Sequence, residues 1–189
     1  MEVFLKIRHW QLFLLIVGIP LIIFLYAGAS LTLREEERFV GDAMARLIMT
    51  IPFLCYFLWL WSAGKLLNQH LHHKLATPSS NFSISVAVSY FSFFFLLVFN
   101  SIYWEHEQEP PQNTVWVYIL GSIISLLAIT SWLYALNYLA KTLVRAERES
   151  HIKPSEYYGE FVMALIFPVG VWILQPRINA LYRNMVKPV

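Results

Sequence analysis

Four long apolar stretches, none containing a charged side chain, constrain this chain more than any other feature. They run from Trp10 to Leu33, Leu47 to Gly64, Phe82 to Trp104 and Thr114 to Ala140. At ~1.5 Å of rise per helical residue, each is long enough to cross a hydrocarbon core of ~30 Å. In lipid a spanning segment must satisfy its own backbone hydrogen bonds, so stretches of this length are read as helices. The fold class is therefore an all-α integral membrane protein, a four-helix transmembrane bundle.

Composition agrees. The chain is 58% apolar and only 14% charged, against ~25% charged in an ordinary soluble domain. The four spans take about 90 of 189 residues, and every connection is shorter than 20. That leaves no room for a separate soluble domain, so residues 1–189 read as one membrane domain. The single cysteine, Cys55, lies in the second span, where it can form no intramolecular disulfide and reads as a small buried apolar residue. The first span begins with Lys6 and Arg8 and carries a small-residue Ala27-Gly28-Ala29 run, as a signal peptide would. Its apolar run of about 18 residues exceeds the 7–15 residues of a signal core, so we expect it to be retained as a span.

Loop charges set the orientation. With the N-terminus in the cytoplasm, eleven Lys and Arg fall on the inner side and three (Arg34, Arg38, Arg46) on the outer side. Seven of the twelve acidic residues lie outside, so the inner side nets +6 (11 minus 5) and the outer side −4 (3 minus 7). The positive-inside rule then places both termini in the cytoplasm. Trp10, Trp104 and Trp116 sit at span ends, where indoles favour the headgroup level.

Lipid gives no hydrophobic drive between helices, so close packing needs small side chains on one face. Span three offers Ser85, Ser89 and Ser92, and span four offers Gly121, Ser125, Ala128 and Ala135. These faces predict a tight hairpin of spans three and four. Pro20 and Pro52 each remove a backbone hydrogen bond from their spans. The outer segment 34–46 is helix-compatible and extends a span or lies at the surface, whereas the acidic loop 105–114 is stiffened by Pro110-Pro111.

After span four the helix is expected to continue through Lys141, Arg145 and Arg148. A fifth apolar run, Phe161 to Leu174, is about 14 residues long and too short for a comfortable crossing. With Pro168 and Gly170 breaking it, residues 160–174 read as a re-entrant or interfacial segment on the cytoplasmic side. A surface helix over 176–186 is predicted to start at Pro176, a favoured first helical position. Ile178, Leu181, Tyr182 and Met185 line one face, as in a basic amphipathic helix on anionic inner-leaflet lipids. The string Phe167-Pro168-Val169-Gly170-Val171-Trp172-Ile173-Leu174-Gln175-Pro176-Arg177-Ile178-Asn179 resembles a tail of uncharacterised bacterial four-span membrane proteins, F-P-x-G-x-W-x-x-Q-P-[RK]-x-N. The resemblance covers these 13 residues and the four-span layout. It implies a bacterial inner-membrane protein and carries no activity. Pro168, Gly170 and Pro176 shape the tail. If it holds a ligand or lipid site, Trp172, Gln175, Arg177 and Asn179 form it, since an arginine beside amides suits an anionic headgroup or phosphate.

Chemistry is otherwise sparse. His70, His72 and His73 cluster in the inner loop and are the candidate ligands for a divalent metal, although no acid or cysteine in that loop completes a site. Six histidines in all, with His106 on the far side, exclude a histidine-box hydroxylase or desaturase. Arg145 and His151 match a loose R-x5-H ribonuclease spacing without a soluble helical domain around it. No phosphate-binding loop, nucleophile elbow, zincin or dinucleotide motif is present, and no inverted repeat of the transporter kind is visible. No catalytic residue, cofactor or nucleic-acid partner is assigned. Mid-membrane charges mark transport and proton relay, and these spans have none. The leading expectation is a non-enzymatic accessory subunit acting through helix-face contacts with itself or a partner membrane protein. The rivals are a homo-oligomeric pore or membrane-perturbing effector, and a metal-dependent or lipid-modifying enzyme using the inner-face histidines.

Overall fold

The structure, a computed structural model, describes residues 7–30, 35–71, 75–105 and 114–186. All regular structure among them is helical. A short α1 (His9–Phe13) widens into a π-helical stretch (Leu14–Gly18) and continues as α2 (Ile19–Ser30). Then come α3 (Glu35–His70), α4 (Ser79–Glu105), α5 (Thr114–Arg148), α6 (Pro154–Leu165) and α7 (Phe167–Val186). His72, His73 and the loop 106–113 lie outside the described residues.

Three stretches are long and apolar enough to cross a membrane: Thr50–Gln69, Ser79–Phe99 and Val115–Arg148. The first apolar run is helical too, but its apolar piece, Trp10–Ile23, is shorter. The π-helical stretch sits just before Pro20. A proline there cannot donate to the carbonyl of residue 16, and its ring crowds that oxygen. Widening the preceding turn is one way a helix absorbs this. Pro52 lies inside α3, which runs without interruption from Glu35. The charged segment from Glu35 to Arg46 therefore extends a span, one of the two sequence expectations for it.

Helix α3 is the centre of the bundle. Half (50%) of its apolar window is buried, against 22% for α4 and 17% for α5. Its Gly64 makes room for the Phe82 ring of α4: a Cβ there would stand 2.5 Å from Phe82 Cζ. Phe82 in turn stacks on Tyr138 of α5 at 4.3 Å and 15°. Van der Waals packing of this kind is what holds helices together in lipid. Below the stack, Asn68 clamps the α3–α4 turn, its Nδ2 donating to the Thr77 carbonyl at 2.8 Å and its Oδ1 accepting the Thr77 N–H at 2.9 Å. Arg145 of α5 donates to the Leu75 carbonyl at 3.1 Å.

The α4–α5 hairpin forms, and Ser89 and Ala128 are fully buried in the bundle, with Ser92 nearly so. The small-residue face does not pack along its whole length, however. At Gly121 an added Cβ would meet nothing within 4 Å. The hydroxyls bond within their own helices, Ser89 to the Ser85 carbonyl and Ser125 to the Gly121 carbonyl, both at 2.7 Å.

The tail differs from its sequence reading in two places. The chain turns at Ile166 (φ −81°, ψ 71°), close to an inverse γ-turn, rather than at Pro168 or Gly170. Pro168 is the second residue of α7, where a missing N–H costs little. Pro176 does not start a helix: α7 runs through it from Phe167 to Val186. Residues 154–186 thus form a helical hairpin. Gly170 is what closes it. Its N–H reaches the Ile166 carbonyl at 2.9 Å, and a Cβ on it would stand 2.1 Å from the Met163 carbonyl oxygen of α6.

Candidate functional site

Two regions gather residues with chemical or binding potential. The first is the junction of α7 with the rest of the bundle. Gln175 is fully buried. Its Oε1 accepts the Trp59 indole N–H from α3 at 2.6 Å, and its Nε2 donates to Asn179 Oδ1 at 2.9 Å and to the Ile7 carbonyl at 3.3 Å. Asn179 Nδ2 donates to the same carbonyl at 3.2 Å. The i, i+4 spacing of Gln175 and Asn179 puts both amides on one face of α7, where together they hold the segment leading into α1. Trp172, half exposed, meets the Phe13 ring edge-on at 5.3 Å and 90°.

Arg177 points elsewhere. Its guanidinium bonds Glu147 of α5 in a fork, at 2.7 Å through Nε and 2.5 Å through one terminal nitrogen, and the same nitrogen reaches Glu160 of α6 at 3.1 Å. The Glu147 hydrogen bond, with the charges of both carboxylates, raises the Arg177 pKa further above its usual value. A second pair, Arg148 and Glu156, joins α5 to α6 at 2.6 Å. Glu156 also accepts the Lys153 N–H at 2.6 Å, and this bond first, then Arg148, holds its carboxyl below the usual range.

The structure therefore brings Gln175 and Asn179 together, sets Trp172 one turn away, and ties Arg177 to carboxylates. Trp59, Glu147 and Glu160 are the partners that sequence reasoning missed. Their separations of 116, 30 and 17 residues from their partners Gln175 and Arg177 give no local signal. His70 ends α3. Among the described residues, no three His, Cys, Asp or Glu side chains come together as a metal site would require.

The second region is a groove of about 840 Å³ between α3, α4 and α5, within the ~300–1,000 Å³ of ligand-sized cavities. Its wall includes Phe53 of α3, Tyr90 and Phe93 of α4, and Gly121, Ser125 and Ile129 of α5. Two of the residues read as helix-packing positions, Gly121 and Ser125, line it. Aromatic side chains of α4 line it opposite the stretch of α5 that presents no bulk at Gly121. No family model, curated protein or solved structure matches the chain.

Proposed function

We propose that this chain is a four-span membrane subunit with both termini in the cytoplasm, and that it works by contact rather than catalysis. Its groove between α3, α4 and α5 receives a transmembrane helix of a partner membrane protein. The observation that carries this reading is the open space over Gly121 in the wall of an apolar groove. Gly121 and Ser125 form a small-x-x-x-small pair, the arrangement that lets helix backbones approach closely in lipid. The polar side chains of the tail junction fit this reading: Gln175 is taken up by Trp59 and Arg177 by Glu147, within the fold.

Native mass spectrometry of the complex, extracted gently from its own membrane, tests the proposal. The wild-type chain is expected to carry a foreign subunit. Gly121→Leu sets a branched side chain where the partner backbone would approach and is expected to release that subunit while the chain keeps its thermal midpoint. A mass of several identical chains would make the groove a self-contact and favour a pore or scaffold. A lone wild-type chain, or turnover by the purified protein, would defeat the reading.

A further inference from the structure

The α6–α7 hairpin carries charge at its base and none towards its turn. Glu156, Glu160, Arg177 and Arg183 lie at the base, and residues 161–176 contain no ionisable side chain. Around the turn, Leu165, Ile166, Trp172 and Ile173 are exposed, Ile166 by 54%. In water such a tip would be an apolar patch with nothing to cover it. It is, however, continuous with the outer surface of α1 and the π-helical stretch, where Trp10 and Leu14 are equally exposed and Phe13 packs on Trp172. That surface belongs to the first apolar run.

We infer that α6 and α7 form a re-entrant hairpin whose turn at Ile166 is sunk in the hydrocarbon of the inner leaflet, so that the partner of its exposed tip is lipid. Depth follows from helix rise. Ile166 is six residues along α6 from Glu160 and eleven along α7 from Arg177. At ~1.5 Å per residue the turn stands roughly 9 Å from the ion cluster along α6 and at most about 17 Å along α7. Half of a ~30 Å core is about 15 Å, so a cluster at headgroup level puts the turn inside the inner leaflet and short of the far side. Two backbone groups at the turn itself are paired, as such a depth favours. Irregular backbone at depth is tolerated only where its polar groups are paired. Here the Ile166 N–H bonds the Val162 carbonyl at 3.1 Å and the Ile166 carbonyl accepts from Gly170. The buried Gln175–Trp59 bond anchors the hairpin to α3.

The test is a depth measurement on the full chain in vesicles, in a Cys55→Ala background. Single cysteines are placed at Ile166 and, as a control at the exposed base, at Ser155. A bimane label at residue 166 is expected to be quenched more by nitroxide in mid-chain lipid than by headgroup nitroxide. A membrane-impermeant maleimide offered to both faces should react at least about tenfold more slowly there than at residue 155, because water is excluded at that depth. Ile166 is exposed, so Ile166→Cys removes little packing; Ile173→Cys provides a second reading of the same tip. Stronger quenching by the headgroup nitroxide, or maleimide rates equal to those at residue 155, would place the hairpin flat in the interface and overturn the inference.

Discussion

A single methyl group tests whether the tail hairpin is closed as described. In Gly170→Ala the new Cβ would lie 2.1 Å from the Met163 carbonyl oxygen, 2.9 Å from its carbon and 3.0 Å from the Ala164 Cα. All three are backbone atoms of α6, so no rotamer change relieves the overlap. An ordinary contact needs about 3.4 Å or more, which requires the helices to part by roughly 1 Å. Overpacking of this kind costs about 1–3 kcal/mol, and Ala regains only ~0.5–1 kcal/mol of helix propensity over Gly. The shift would also strain the Arg177–Glu160 bond, so we expect a net loss of about 1–3 kcal/mol. Gly121→Ala is the matched control: its Cβ meets nothing, so only the propensity gain of up to ~1 kcal/mol remains. Gly64→Ala, facing the Phe82 ring, belongs with the destabilised variant. Denaturant titration in detergent, followed by far-ultraviolet circular dichroism, reads all three. Equal midpoints for Gly170→Ala and Gly121→Ala would refute the close approach of α6 and α7.

Two further outcomes are expected. Gln175→Leu strands the buried Trp59 indole N–H and should cost about 1–3 kcal/mol; adding Trp59→Phe should recover part of that loss, and strictly additive effects in the double-mutant cycle would exclude the bond. Glu156 has a folded pKa below its unfolded value, so its contribution is present above the usual carboxylate range and disappears as pH falls through the folded value. Amide exchange at Lys153 should therefore accelerate, beyond its intrinsic pH dependence, as pH falls below the usual carboxylate range; in Glu156→Ala it should already be fast at neutral pH and show little added response.

Three of the four expected spans were legible because long uncharged apolar runs have few alternatives in lipid. Val115–Arg148 covers nearly all of the fourth run, and Ser79–Phe99 and Thr50–Gln69 cover most of the third and second. The continuation of α5 through Lys141 and Arg145 to Arg148 was also readable. Local rules failed where two structures share one signal. Proline suits the first turn of a helix, yet α7 accommodates Pro176 in its interior, and the residue alone does not distinguish the cases. The turn at Ile166 has no Gly or Pro at its own position. Small residues at 121 and 125 announce close packing, but whether a neighbour fills the space depends on the bulk of Phe93 and Tyr90 across the groove. Arg177 suits a phosphate in isolation; the carboxylates it binds come from α5 and α6, and only the folded hairpin brings them within reach.

The hold of Gln175 and Asn179 on the Ile7 carbonyl joins residues separated by 168 and 172 positions. Translation at ~5–20 residues per second delivers residue 179 roughly 10–30 s after residue 7. Throughout that interval the carbonyl ahead of α1 and the Trp59 indole lack these partners. The segment leading into α1 thus acquires these hydrogen bonds from α7. Closure of this junction waits for α7, and a translation arrest between residues 149 and 174 would leave α1 to α5 made but the carbonyl ahead of α1 without these two donors.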